Sequence, residues 1–215
     1  MKKILLILIF LNFVGIYAQE DSENKIQKVN KSELKFEDLE NSDDIFSFRF
    51  WNKGQIIEIR ILSDSTRIGT IVNFVTKAYK SSKKQDKILS GKIDEKAFFQ
   101  KIELSDNRIS ETIKLIKSSK ITELPSDNEI MNWKPILDGE WYSFEQKIDG
   151  KYEMKNYGNP RQQYELPEGV KFLNFYSALN DILDLEKKFA YFFADLKNGC
   201  YSKNGEHTII CKTRK

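Results

Sequence analysis

Phe46-Ser47-Phe48-Arg49-Phe50-Trp51-Asn52-Lys53-Gly54-Gln55-Ile56-Ile57-Glu58-Ile59-Arg60-Ile61 reads as two strands joined by a turn. Phe46, Phe48 and Phe50 alternate with Ser47, Arg49 and Trp51. Ile57, Ile59 and Ile61 share one face, with Glu58 and Arg60 on the other. Alternation with a period of two puts every second side chain on the same side of an extended chain, so each run is a half-buried strand. Asn52-Lys53-Gly54 supplies the turn. Ser63-Asp64-Ser65 turns again, and Ile68, Thr70, Val72 and Phe74 form a third alternating set. Strands joined this tightly make an antiparallel meander.

Downstream, residues 78–87 are a polar connection, and Phe98, Ile102 and Leu104 suggest a further strand near 97–104. A helix follows. Ser105 or Asp106 can cap it by accepting from free N–H groups of its first turn. Ile109, Ile113 and Ile116 recur at helical spacing. The helix ends by Lys120, because Leu124-Pro125-Ser126-Asp127 is turn chemistry and proline biases the residue before it away from helix. Asp149-Gly150 between two β-prone runs favours a two-residue hairpin turn. That register sets Tyr142 opposite Tyr157 and Phe144 opposite Lys155. After Pro167-Glu168-Gly169, apolar residues from Phe172 to Leu196 keep helical spacing. This predicts a helix over 169–196, broken near Asp184 and stopped at Asn198-Gly199 by a left-handed glycine. The fold expected is α+β: an antiparallel sheet, meander plus hairpin, packed against two helices.

Upstream, Met1-Lys2-Lys3, the apolar run Ile4–Gly15 broken only by Asn12, and the small residue Ala18 ahead of Gln19-Glu20-Asp21 have the layout of a secretory signal. Cleavage is expected between Ala18 and Gln19. The run is short for a membrane span, which needs ~20 apolar residues. No cysteine near the cleavage point offers a lipid anchor. Residues 19–44 are polar with isolated apolar positions and read as a flexible leader, with a short helix weighed near Ser32–Glu40. The domain reading is then a signal over 1–18, a leader over 19–44 and one α+β domain over 45–215.

The chain has 35 basic and 32 acidic residues; without Lys2 and Lys3 the excess falls from +3 to +1. A nucleic-acid binder draws its affinity from phosphate neutralisation and keeps a larger excess, so no nucleic-acid partner is expected. Lys77, Lys80, Lys83, Lys84 and Lys87 form a positive stretch that suits anionic lipid or polysaccharide. A solvated connection accounts for it equally well. Asn30-Lys31-Ser32 fits a glycosylation pattern, but frequent Lys, Ile, Asn and Glu with scarce Ala suggest an AT-rich bacterial gene, in which that pattern carries no weight.

Cys200 and Cys211 are the only thiols. A loop around Asn204–His207 sets them directly opposite on paired strands, and exported proteins commonly oxidise such pairs. Two thiols and one imidazole fall short of a closed zinc shell, so no metal or other cofactor is expected. His207, the single histidine, reads as a solvated loop residue. No Gly-x-Ser-x-Gly elbow, phosphate-cradling glycine loop or His-Glu-x-x-His helix occurs. Asp138 and Glu140 are the weak catalytic candidates: paired carboxylates support glycoside hydrolysis when held around a sugar. Trp133, Trp141 and Tyr142 are the matching binding candidates, as rings that stack on sugars. Asp138-Gly139 also reads simply as a turn into a strand.

Leu124-Pro125-Ser126, Trp133, Leu137-Asp138-Gly139-Glu140-Trp141, Asp149-Gly150-Lys151-Tyr152 and Asn159-Pro160 ahead of an apolar helix resemble a layout recurring in small exported bacterial proteins without a settled activity. The resemblance covers roughly residues 105–185. It implies export and an α+β domain, and it transfers no catalytic residue. The function expected is a non-catalytic binding or interaction protein of the bacterial envelope, periplasmic or extracellular, with an envelope component or another secreted protein as partner. A glycan hydrolase using Asp138 or Glu140 is the alternative, and a structural or inhibitory partner of a secreted protein is the third class.

Overall fold

The structure, a computed structural model, describes residues 26–30, 36–78, 83, 96–134, 139–203 and 209–213. The proposed signal with Ala18 and Gln19, Asp138, His207, and Lys80, Lys84 and Lys87 lie outside the described residues; Lys83 is exposed.

In chain order the strands are β1 (Gln27–Asn30), β2 (Phe46–Asn52), β3 (Gln55–Ile61), β4 (Arg67–Lys77), β5 (Lys96–Glu103), β6 (Trp141–Ile148), β7 (Lys151–Gly158), β8 (Gly199–Ser202) and β9 (Ile209–Lys212). Helix α1 (Asp106–Ser119) lies between β5 and β6, and α2 (Pro167–Leu183) and α3 (Leu185–Asp195) lie between β7 and β8. The strands form one antiparallel sheet in the order β1-β5-β4-β3-β2-β6-β7. Short β8 pairs with the end of β4, beside Thr76 and Lys77, where β3 has already turned away, and carries β9.

On β2 and β3 the alternation read from the sequence becomes the inner face, whereas on β4 the set Ile68, Thr70, Val72 and Phe74 lies on the outer face and Ile71, paired with Ile57, turns inward. Phe46, Phe48 and Phe50 on β2, Ile57 and Ile59 on β3, Ile71 on β4, and Tyr142, Phe144 and Tyr157 on the hairpin are buried against Ile109, Ile116, Phe172, Phe175 and Leu179 of α1 and α2. Gly69 lets α1 come this close: a Cβ there would lie 2.6 Å from Ile109 Cγ1. The hairpin turn has positive φ at both Asp149 (51°) and Gly150 (77°), and pairs Tyr142 with Tyr157 and Phe144 with Lys155 as its register requires.

One row crosses the inner face without apolar groups. Asn52, Gln55, Asn73 and Gln100 sit side by side on β2, β3, β4 and β5. Gln55 Nε2 donates to Asn73 Oδ1 (2.7 Å) and to the Leu185 carbonyl (3.0 Å), and Asn73 Nδ2 donates to Gln100 Oε1 (3.1 Å). Beyond this row lies a second, smaller core of Val75, Phe192, Leu196 and Tyr201. The row therefore meets the helices where the chain breaks at Asp184, which takes a left-handed conformation (φ 52°) between α2 and α3. The helix ends at Asp195, short of Gly199. Leu196 goes extended because its side chain is drawn into the small core, and Gly199 opens β8 instead of capping a helix.

The polar stretch before residue 45 also contributes to the fold. Gln27–Asn30 pairs with Lys96–Phe99 as β1, Leu39 is 1% exposed, and Asp44 is bound to Arg60. Residues 36–40 form no helix. Isolated apolar residues suffice here because the sheet, rather than the segment itself, supplies the surface that buries them.

Cys200 and Cys211 face each other across β8 and β9 with Cα atoms 4.1 Å apart and sulfurs at bonding distance. The bridge closes a short loop, for which chain-entropy reasoning gives about 2–3 kcal/mol. Urea unfolding of the Cys200→Ser/Cys211→Ser protein should show a loss of that order, and reductant should lower the wild-type midpoint to match it. An unchanged midpoint under reductant removes the bond from the list of stabilising features.

Candidate functional site

The sequence-derived candidates gather where the β6–β7 hairpin opens. Asn159 closes that end. Its backbone N–H donates to the Glu140 carbonyl, and its Oδ1 accepts from the Glu140 N–H, both at 2.7 Å. Glu140 turns inward. One carboxylate oxygen accepts from Lys53 Nζ; the other accepts from the Tyr142 hydroxyl (2.9 Å) and faces Arg161 Nε at 3.7 Å. A general acid or base needs an oxygen within hydrogen-bond reach of substrate. Here both are engaged by neighbouring strands and turns, so Glu140 acts as a tie between the β2–β3 turn and the hairpin.

The aromatic candidates separate by burial. Trp133 is buried, tilted against Tyr157, and donates Nε1–H to the Gly158 carbonyl at 2.9 Å. Tyr142 is buried, stacked on Phe50 at 5.9 Å. Their ring faces are occupied by the core. Trp141 is 54% exposed and lies over Gly158. Among the described residues no group of three or more metal-binding side chains is placed to hold an ion, and no helix is long and apolar enough to cross a membrane.

The sheet's outer face holds a different arrangement. Arg49, 3% exposed in its side chain, donates from Nε to Glu58 (2.6 Å), from one terminal nitrogen to Glu145 (3.1 Å) and from the other to the Glu37 carbonyl (2.7 Å). Its guanidinium lies over Phe36 (5.5 Å) and Trp51 (6.0 Å). Trp51 Nε1 and the Tyr152 hydroxyl also donate to Glu145. One row along, Arg60 grips Asp44 through two nitrogens (2.6 and 2.9 Å), and Ser47 donates to the same carboxylate. Planar forks of this kind are the strong form of ion pair.

Beside these pairs opens a groove of about 340 Å³, lined by Phe36, Ile56, Val72, Phe99, Thr70 and Lys101, with Glu37, Glu58, Arg60 and Ile68 completing the wall. That volume falls within the ~300–1,000 Å³ of small-molecule sites. Ile56 and Val72 are cross-strand partners and continue to Lys101 on β5, while Thr70 stands between Glu58 and Glu103. Alternation alone places Arg49, Glu58 and Arg60 on the face opposite the apolar one. The one further signal is that the β2–β3 turn sets Arg49 directly opposite Glu58.

Asp44 gives the groove wall a pH dependence. Burial alone raises its carboxyl, but the bonds from Arg60 and Ser47 outweigh that and hold it below its ordinary 3.8. The folded value therefore lies under the unfolded one, so the group's contribution is whole above pH 3.8 and is lost as pH falls through the folded value. Acid titration of stability should show a shallower fall below this pH for Asp44→Asn than for wild type; parallel curves would remove Asp44 from the acid limb.

No protein-family model matches the chain, and no curated protein matches it.

Proposed function

We propose that this chain is an exported, non-catalytic binding protein of the bacterial envelope, and that it carries a small ligand in the groove over β3, β4 and β5. The observation that supports this reading is the groove itself: an apolar floor of Ile56, Val72 and Phe99, beside charged groups that are already tied to buried partners. Carboxylates locked in forked ion pairs are poor proton carriers, yet they hold a cavity open and fix its shape. Export is supported by the basic, apolar and small-residue order of positions 1–18 and by the facing cysteines.

The test uses the secreted protein and the neutral probe N-phenyl-1-naphthylamine. Its fluorescence should rise saturably with one site per chain. Val72→Trp and Thr70→Phe, which each fill the groove from a different strand position, should abolish the rise while circular dichroism stays that of wild type. Equal probe binding by wild type and a folded filled variant would overturn the reading.

A further inference from the structure

We infer that the groove's ligand is a single-chain amphiphile carrying one negative charge, its apolar body on Ile56, Val72, Phe99 and Phe36 and its anionic head at Lys101. This rests on the groove reading above and adds the ligand's chemical class.

The argument sorts the charged groups in the wall by what already holds them. Glu58 is taken by Arg49, whose side chain is 97% buried. Arg60 is taken by Asp44, and Glu37 turns toward the same guanidinium at 3.7 Å. Glu58 and Arg60 need nothing from a ligand, and an ion entering against them would have to break a buried pair, whereas the Glu37 side chain is 58% exposed. Lys101 differs. Its ammonium pairs with Glu103 at 3.8 Å, and both side chains are more than half exposed, an arrangement worth little in water. Lys101 is thus the loosely held positive charge of the wall; the exposed carboxylate, Glu37, lies against Arg49 and Arg60 on the β2–β3 side, away from the β5 end.

Its position fits a head-group site. Among the described residues β1 pairs with β5 only as far as Phe99, and Lys101 lies beyond that pairing on the last strand that lines the groove. From there the cross-strand row runs inward through Val72 to Ile56, both under 9% exposed. A charge at the rim with a dry floor behind it suits a molecule that is ionic at one end and apolar along the rest. At about 340 Å³ the groove lies at the lower end of small-molecule sites, which suits one short chain.

The test is displacement of N-phenyl-1-naphthylamine by four ligands of equal chain length: decanoate, decyl phosphate, decanol and decyltrimethylammonium. At low salt, at least one anion should displace the probe at about tenfold lower concentration than decanol, as one charge-assisted contact provides. The better anion tells a free acid from a phosphate head. The cation should be the weakest of the four. With each ligand scored against that variant's own probe affinity, Lys101→Gln should bring the anions level with decanol, and Lys101→Arg should keep the preference. If the probe binds and all four ligands compete equally, or if Lys101→Gln keeps the preference, the anionic class is wrong and the groove reading stands. If the probe does not bind, the groove reading itself fails.

Discussion

Replacing Arg49 with methionine lowers stability by about 3–5 kcal/mol, the cost of removing one partner from a buried ionic cluster. The size follows from what is left behind. Glu58 and Glu145 lose the guanidinium that lies between them, and the Glu37 carbonyl loses its donor. Both carboxylates are largely buried, so water cannot fully replace the lost bonds. Phe36 also loses the flat cation beneath it, and with it a hold on the groove's rim. Urea unfolding gives the number. The diagnostic comparison is the triple variant Arg49→Met/Glu58→Gln/Glu145→Gln. Removing the stranded charges should recover a large part of the loss, whereas a triple variant no better than the single one would mean that packing, not charge, carries the effect.

Phe144→Ala should cost a comparable 3–5 kcal/mol for a different reason. Phe144 is fully buried in the middle of the inner face. Its ring contacts Phe48 (5.3 Å), Phe50 (4.9 Å), Tyr157 (5.2 Å), Phe172 (5.6 Å) and Phe175 (5.7 Å). Those rings come from β2, β7 and α2, so no single element can move in to fill the space. The loss should appear in thermal and urea unfolding alike, and Phe144→Leu should restore most of it. A loss below about 1 kcal/mol would mean that the site collapses freely, at odds with interlocked packing.

Much of this architecture was readable because it depends on near neighbours. The Asp149-Gly150 turn sets the hairpin register through Tyr142 and Tyr157, the loop length sets Cys200 opposite Cys211, and three isoleucines at helical spacing mark α1. The groove was not readable. It needs β5 beside β4 across a long connection, and Phe36 carried over β2 from a segment whose own composition predicts little order. Thr70, Val72, Phe99 and Lys101 are ordinary strand residues until those registers are known. The same holds for Arg49: period-two alternation says which face it occupies, but not that Glu37 and Phe36 cover that face. At the sequence-derived site, the pattern around Glu140 correctly marked the entry to a strand. Its ties to Lys53 and Arg161 come from the β2–β3 turn and from the short 3-10 turn that follows β7.

The four amides that cross the inner face have a dynamic consequence. An apolar interface resists opening because water cannot replace what is lost, whereas hydrogen bonds between amides can be exchanged for water at little net cost. The row is thus a seam along which α3, β8 and β9 can part from the larger core without unravelling it. Amide hydrogen exchange should divide there, with the segment from Phe189 to Ser202 opening at lower free energy than β2, β3 and β6.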